Sequence, residues 1–439
     1  MKPGLKPILI FLLLLLPVFA RSASILIPMD DTQKDHLKSY GIAFWILKKG
    51  GEVDWLLNYR GGSFMTKYDK DAENECKIRG VSYEVLADAS ASSIIVQIND
   101  PSVNMDLVKL EKAPRMAVYS PKNNKGGLED AVVLVLNYAE IPFDYIYDEE
   151  VLKGDLSKYD WLHLHHEDFT GQYSKGMGGF MGYGGGYGGG YRGGGNRNNQ
   201  DGNGESREVQ EATAAKLGFK KVSKMKLAVA QHIRDFCAGG GFLFAMCSGT
   251  DSFDIALAAA NTDICDTQYD GDPVDPRAQS KLDFSQTFAF QNFTVELNPR
   301  SRRFSDIDDS NTRMVQRTED FFTLFDFSAK WDVVPSMLTQ DHERVIKGFK
   351  GLATAFNKDK LKSSVTIMGE MKTANEARYI HGEYGKGQWT FYGGHDPEDY
   401  QHSPNEPPTD LALHPNSPGY RLILNNVLFP AAKKKKQKT

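Results

Sequence analysis

Short apolar runs alternate with helical stretches along most of the sequence, and this alternation constrains the fold more than any other feature. Residues 24–28 read as a strand, 33–49 as a helix with Leu37, Ile42, Phe44, Trp45 and Leu47 as its apolar positions, and 52–58 as a second strand. The β-branched run 94–98 reads as another strand. Residues 115–119 (strand), 126–139 (loop and helix) and 143–147 (strand) repeat the pattern, followed by a strand at 161–165, a helix at 222–236, a strand at 242–246 and a helix at 251–260. A late strand at 389–392 and a closing helix at 420–429 complete it. Strands that alternate with helices predict an α/β fold: a mainly parallel sheet with helices on both faces. Residues 264–330 break the order and read as a β-rich insertion.

Glycine is abundant, with 41 residues, but 15 of them fall within 176–204, where Tyr183, Tyr187 and Tyr191 are separated by glycine triplets. That segment has too little apolar surface to fold alone and reads as a disordered surface loop, with a ligand-binding flap as the alternative. Residues 1–20 carry Lys2 and Lys6, an unbroken apolar block at 8–16, then Pro17 and small residues, the pattern of a secretory signal peptide. The expectation is export to the periplasm or cell envelope, or secretion. No later apolar stretch is long enough to cross a membrane. The net charge of −5 falls to −12 without Lys2, Lys6 and the five lysines of the tail at 431–439. An acidic body argues against nucleic acid as a partner. A small molecule or an envelope component is the remaining class of ligand, and no cofactor is called for.

Four cysteines, Cys76, Cys237, Cys247 and Cys265, are too few for a disulfide scaffold, although a bridge from Cys247 to Cys237 or Cys265 would suit an exported protein. Cys247 stands out because it ends the apolar run Phe242-Leu243-Phe244-Ala245-Met246 and precedes Ser248-Gly249 and a helix. A nucleophile in a tight strand-to-helix turn is held at the C-terminal edge of the sheet, and the helix dipole favours its anion. A second segment supplies a base. His395 follows the late strand and Gly393-Gly394, with Asp396 and Glu398 close behind. Parallel strands place their C-terminal loops on one edge, so Cys247, His395 and an orienting carboxylate can meet.

On these residues the chain resembles class I glutamine amidotransferase-like domains over roughly 113–430, without the insertions. The resemblance implies a flavodoxin-like core and a Cys-His-Glu triad, with Cys247 as nucleophile, His395 as base and Glu398 as its orienter. Two features depart from the pattern. Asp396 and Pro397 both separate His395 from Glu398, where one residue is usual. His165-His166-Glu167-Asp168 stands where the family has a glycine-rich oxyanion loop. The whole chain, including 25–31 and 55–62, is also similar to exported bacterial proteins named asparagine synthetase B, and Ser248-Gly249-Thr250-Asp251-Ser252 looks like a shortened pyrophosphate loop of ATP-dependent asparagine synthetases.

His165, His166, Glu167, Asp168, Ser248 and Gly249 are therefore candidate binding residues at the same edge. His163 and His165 share a strand face by period two, which allows an N/O metal site there, while a partly exposed polar rim is the simpler reading. Residues 24–112 form an N-terminal extension. Two functions remain open: cysteine-dependent hydrolysis of an amide or similar acyl bond, and a catalytically degenerate binding protein of the cell envelope.

Overall fold

The computed structural model describes residues 23–122, 129–173, 175, 205–299, 301, 303–308, 318–332, 340–349, 351, 353–400 and 407–432. The leader at 1–20, the glycine-rich segment and the lysine tail from 433 lie outside the described residues. Two sheets organise the chain. The first comes from the N-terminal extension: β1 (Ala23–Ile27), β2 (Val53–Leu57), β3 (Ser63–Lys67), β4 (Glu84–Ala87) and β5 (Asp106–Leu110). They pair in the order β4-β1-β3-β2-β5, antiparallel throughout. Because β3 sits between β1 and β2, the helix His36–Lys48 makes a split β–α–β crossover.

Alternation along these strands sorts side chains to two faces. Leu26, Leu56 and Met65 turn to a small core with Ala91, Ile94 and Ile98. Ile25, Ile27, Val53, Trp55, Leu57 and Phe64 turn to the main core beneath the helix His36–Lys48. The run at 94–98 is not the strand its β-branched residues predict. It lies in the helix Asp88–Asn99, where Ala91, Ile94 and Ile98 recur at helical spacing on the buried face while Val96 is 71% exposed. Tertiary burial of one stripe overrides a modest local preference.

The second sheet is mixed. β7 (Asp144–Ile146), β6 (Met116–Tyr119), β8 (Trp161–Leu164), β9 (Phe242–Met246) and β15 (Gly387–Tyr392) are parallel neighbours in that order. From β15 the sheet continues antiparallel through β14 (Glu376–Tyr384) and β13 (Thr366–Met371) to β10 (Phe321–Leu324) and β11 (Val345–Lys347), with β12 (Phe356–Asn357) also on β14. The expectation of a mainly parallel sheet is thus corrected: parallel pairing covers one half only. Between 264 and 330 the described residues hold one short helix, two 3-10 turns, isolated bridges and β10, so the segment is mostly irregular and not β-rich.

Strands β6, β8 and β9 are buried along their whole length, as expected for parallel strands covered on both faces. Helices Ala131–Tyr138 and Pro418–Leu428 cover one face, and Val222–Ala238 and Ser248–Ala258 the other. The first face is shared with the helix His36–Lys48, so one core joins both sheets. Polar bonds reinforce the join: Tyr40 Oη donates to Asn425 Oδ1 at 2.6 Å and accepts from Arg421 Nε at 2.9 Å, all three buried.

Close approach at this join requires Gly41. A Cβ there would lie 1.9 Å from the Ala139 carbonyl oxygen, so Gly41→Ala is expected to cost about 1–3 kcal/mol, read as a lowered urea midpoint; an unchanged midpoint refutes the close approach. Acid stability should also report the core. Burial pushes the His36 and His381 imidazoles down to about 3, with Arg421 and His342 adding to the effect at His36. Between the usual ~6.5 and about 3 the unfolded chain then binds more protons, so stability falls as pH falls through that window. Thermal unfolding from pH 7 to pH 4 checks this, and a flat profile contradicts it.

Candidate functional site

The site stands where β8, β9 and β15 end together. Register places His163 opposite Phe244, Leu164 opposite Ala245, and Met246 opposite Tyr392, so His165, Cys247 and the loop carrying His395 leave the sheet side by side. The backbone locks them. Cys247 N–H donates to the Gly394 carbonyl at 3.1 Å, and Gly249 N–H donates to the His165 carbonyl at 2.7 Å. A Cβ on Gly249 would come 2.8 Å from that same oxygen, which explains a glycine in this turn. Cys247 itself has φ 49° and ψ −140°, a conformation L-residues rarely adopt, and caps the helix Ser248–Ala258.

One ring nitrogen each of His165, His166 and His395 and the Cys247 sulfur all lie within 4.8 Å of one another. The imidazoles pack together, with centroid separations of 3.8 Å for His165–His166, 4.8 Å for His166–His395 and 5.2 Å for His165–His395. All four side chains are buried, from 1% exposed at His395 to 4% at His166. The histidines therefore do not form the partly exposed rim expected from the sequence. None of the four cysteines forms a disulfide, so no bridge to Cys237 or Cys265 competes for Cys247.

A hydrogen bond defines the tautomer of one of these rings. His166 Nε2–H donates to the Glu129 carbonyl at 2.7 Å, which leaves Nδ1 as the lone-pair nitrogen. His165 Nδ1 lies 3.1 Å from Asp130 Oδ1 outside hydrogen-bond geometry, and Nε2 likewise has no hydrogen-bond partner. Burial pushes both imidazoles below their usual value; the neighbouring His165 adds to this at His166, while Asp130 opposes it at both. Asp130 also accepts from the Val132 and Val133 amides as cap of the helix Ala131–Tyr138. Burial would raise its carboxyl, but His163 and His165 outweigh this and hold it well below the usual range. Sequence reasoning missed Asp130 and the Glu129 carbonyl; an Asp before an apolar helical run signals a cap, and nothing local signals its second task.

The other expected residues go elsewhere. His163 Nδ1–H donates to the Phe244 carbonyl at 3.1 Å and Nε2 lies 3.2 Å from Asp130 Oδ1; with Asp130 and His165 it forms a separate group of possible ligand atoms within 4.8 Å of one another. Glu167 turns to the opposite face, where its carboxylate meets the buried Lys226 ammonium at 2.7 Å. Asp168 closes a turn, accepting from the Thr170 and Gln172 amides at 2.8 and 3.0 Å. Asp396 accepts from the Glu398 amide at 2.8 Å and the Thr409 hydroxyl at 2.8 Å, fixing the loop after His395. Glu398 faces His414 Nδ1 at 3.4 Å and Lys347 Nζ at 3.9 Å. Ser248 to Ser252 form the buried first turns of the helix, with Ser252 Oγ donating to the Ser248 and Glu167 carbonyls. A cavity of about 1510 Å³ lies at the other edge, lined by Asp160, Gly241, Phe242, Gly387 and Gln388, where these strands begin.

No protein-family profile matches the sequence, and no curated protein matches it. Among solved structures the chain is similar to the cytoplasmic protein STM3548 from Salmonella typhimurium, with 10% identity, coverage of 73% of this chain and 100% of that one, and a TM-score of 0.34. The cytoplasmic protein STM1381 from Salmonella typhimurium LT2 gives 14% identity, the same coverages and a TM-score of 0.34. Gan42B, a GH42 beta-galactosidase, gives 13% identity, 65% and 28% coverage and a TM-score of 0.26. Likenesses this distant carry no argument about the site.

The strained turn yields a direct test. Glycine ordinarily costs about 0.5–1 kcal/mol relative to alanine, but here it would relieve a conformation worth roughly 1–3 kcal/mol of strain. Cys247→Gly should therefore unfold at higher urea than Cys247→Ala; the reverse order would show that the turn stores no strain.

Proposed function

We propose that the chain hydrolyses an amide or similar acyl bond through a Cys247 thioester, on a glutamine amidotransferase-like core of flavodoxin-like layout. The observation that carries this reading is the pairing of a cysteine in a strained strand-to-helix turn with the His395 ring, a nitrogen of which lies within 4.8 Å of the sulfur. In the reaction His395 takes the thiol proton, and the sulfur attacks the acyl carbon. The tetrahedral oxyanion that forms is favoured by the N-terminal end of the helix Ser248–Ala258. Collapse expels the amine, which takes the proton back from His395; water then attacks the thioester with His395 as base, and Cys247 regains its proton. Export of the protein rests on the sequence of residues 1–20.

A second reading, a binding protein without turnover, draws support from Glu398, which faces His414 and Lys347 in place of orienting His395. Nothing favours ATP-dependent synthesis, since Ser248–Ser252 is buried helix and offers no exposed cradle of amides to a pyrophosphate.

Hydrolysis of a panel of primary amides, including glutamine, and of activated esters separates the two readings. Cys247→Ser and His395→Ala should each slow turnover by about 10²–10⁴-fold, and mass spectrometry should trap an acyl group on Cys247. Activity that survives both substitutions, or the absence of any acyl adduct with every substrate tested, would exclude the thioester mechanism.

A further inference from the structure

We infer that Cys247, His165, His166 and His395 form a four-ligand site for a soft divalent cation, zinc by its ligand chemistry, and that the bound cation holds the nucleophile inactive. The regulatory half of this inference rests on the hydrolase reading; the binding half does not.

The donor set comes first. One thiol and three imidazoles, with donor atoms mutually within 4.8 Å, match the ligand types and number of a closed tetrahedral zinc site. Ligand atoms around tetrahedral zinc sit about 3.3–3.6 Å apart, so closure needs side-chain shifts on the order of 1 Å.

The outer partners are the second observation. Metal-ligating histidines characteristically donate their other N–H to a carboxylate or a backbone carbonyl. His166 does so through the Glu129 carbonyl, and His165 Nδ1 faces a carboxylate, with Asp130 Oδ1 3.1 Å away. Among the described residues, both ring nitrogens of His165 and Nδ1 of His166 are buried without a hydrogen-bond partner. A buried acceptor left without a donor costs free energy that a cation would recover. His163, by contrast, has acceptors at both nitrogens and stands outside the donor set.

Binding is balanced: the Cys247 thiol loses one proton to solvent, the sulfur and three neutral imidazoles each donate a lone pair, and no ligand is oxidised. A sulfur committed to the cation cannot attack an acyl carbon, and a committed His395 nitrogen cannot accept a proton. Two other groups of possible ligands are poorer candidates: in Asp263, Cys265 and Asp270, Lys221 Nζ already lies 3.1 and 3.0 Å from the two carboxylates, and Asp130, His163 and His165 supply only three ligands, one of them shared with the four-ligand set.

The test uses the full chain, stripped with chelator and titrated with Zn²⁺ and, as a spectroscopic probe, Co²⁺. One ion per chain is expected, with the intense visible bands of tetrahedral cobalt and a near-ultraviolet thiolate-to-cobalt band. Cys247→Ser should remove the thiolate band, Asp130→Asn should weaken binding about 10–100-fold, and Cys265→Ser should change neither. A wild-type cobalt complex without a thiolate band, or a band lost on Cys265→Ser, overturns the site, and neither result depends on how the Cys247 or Asp130 variant folds. Saturating zinc should abolish any amide hydrolysis, and hydrolysis that persists in the zinc-loaded chain overturns the regulatory half. Zinc bound through Cys247 with no hydrolysis in either form upholds the site and removes the hydrolase reading. Cys247-dependent hydrolysis without metal binding does the opposite.

Discussion

Parallel pairing of β8, β9 and β15 is the constraint on which the site depends. A parallel ladder runs its strands in one direction, so His165 and Cys247, which directly follow β8 and β9, leave the sheet at one edge, and Gly393-Gly394 after β15 bring His395 to the same edge. The backbone then tightens what the ladder starts: Cys247 is tied to Gly394 on one side, and Gly249 to His165 on the other. A residue at φ 49° persists only when its surroundings over-determine it, and these two bonds, one from each neighbouring strand, do so.

The segment after β8 divides its polar side chains between two faces. His165 and His166 turn to the cysteine, whereas Glu167 reaches Lys226 on the helix Val222–Ala238, where Asp148, Tyr119 and Tyr147 complete a buried polar group. A buried ammonium is tolerated because two carboxylates and two phenols surround it. Four consecutive polar residues, His165-His166-Glu167-Asp168, thus serve three purposes: a donor cluster, an ion pair beneath a helix and a turn cap.

How much of this was legible in the sequence depends on the range of the interaction that decides it. The buried, mostly apolar strands β6, β8 and β9 are local patterns, and they read correctly. The antiparallel half, β10 to β14, did not, because its strands are defined by partners across irregular chain. Within the site, Cys247 and His395 were legible as residues that follow strands. The direction of Glu398 was not, since it is set by His414, sixteen positions away in the sequence. The histidine pair was legible as polar residues at a strand end but not as a buried group, because its burial depends on Asp130 and the Glu129 carbonyl from a different crossover. The strand expected at 94–98 failed for a related reason: the same β-branched residues suit a helix once Ala91, Ile94 and Ile98 face a sheet.

The bonds of Tyr40 to Arg421 and Asn425 span 381 and 385 positions of sequence. Closing a loop of that length costs conformational entropy before the contact returns anything. The side of the helix His36–Lys48 that meets Pro418–Leu428 therefore stays uncovered until that last helix is made. During synthesis that side of the helix would be open to other chains for most of the time the ribosome spends on this protein. The join between the two sheets is thus begun early in synthesis and closed only near its end.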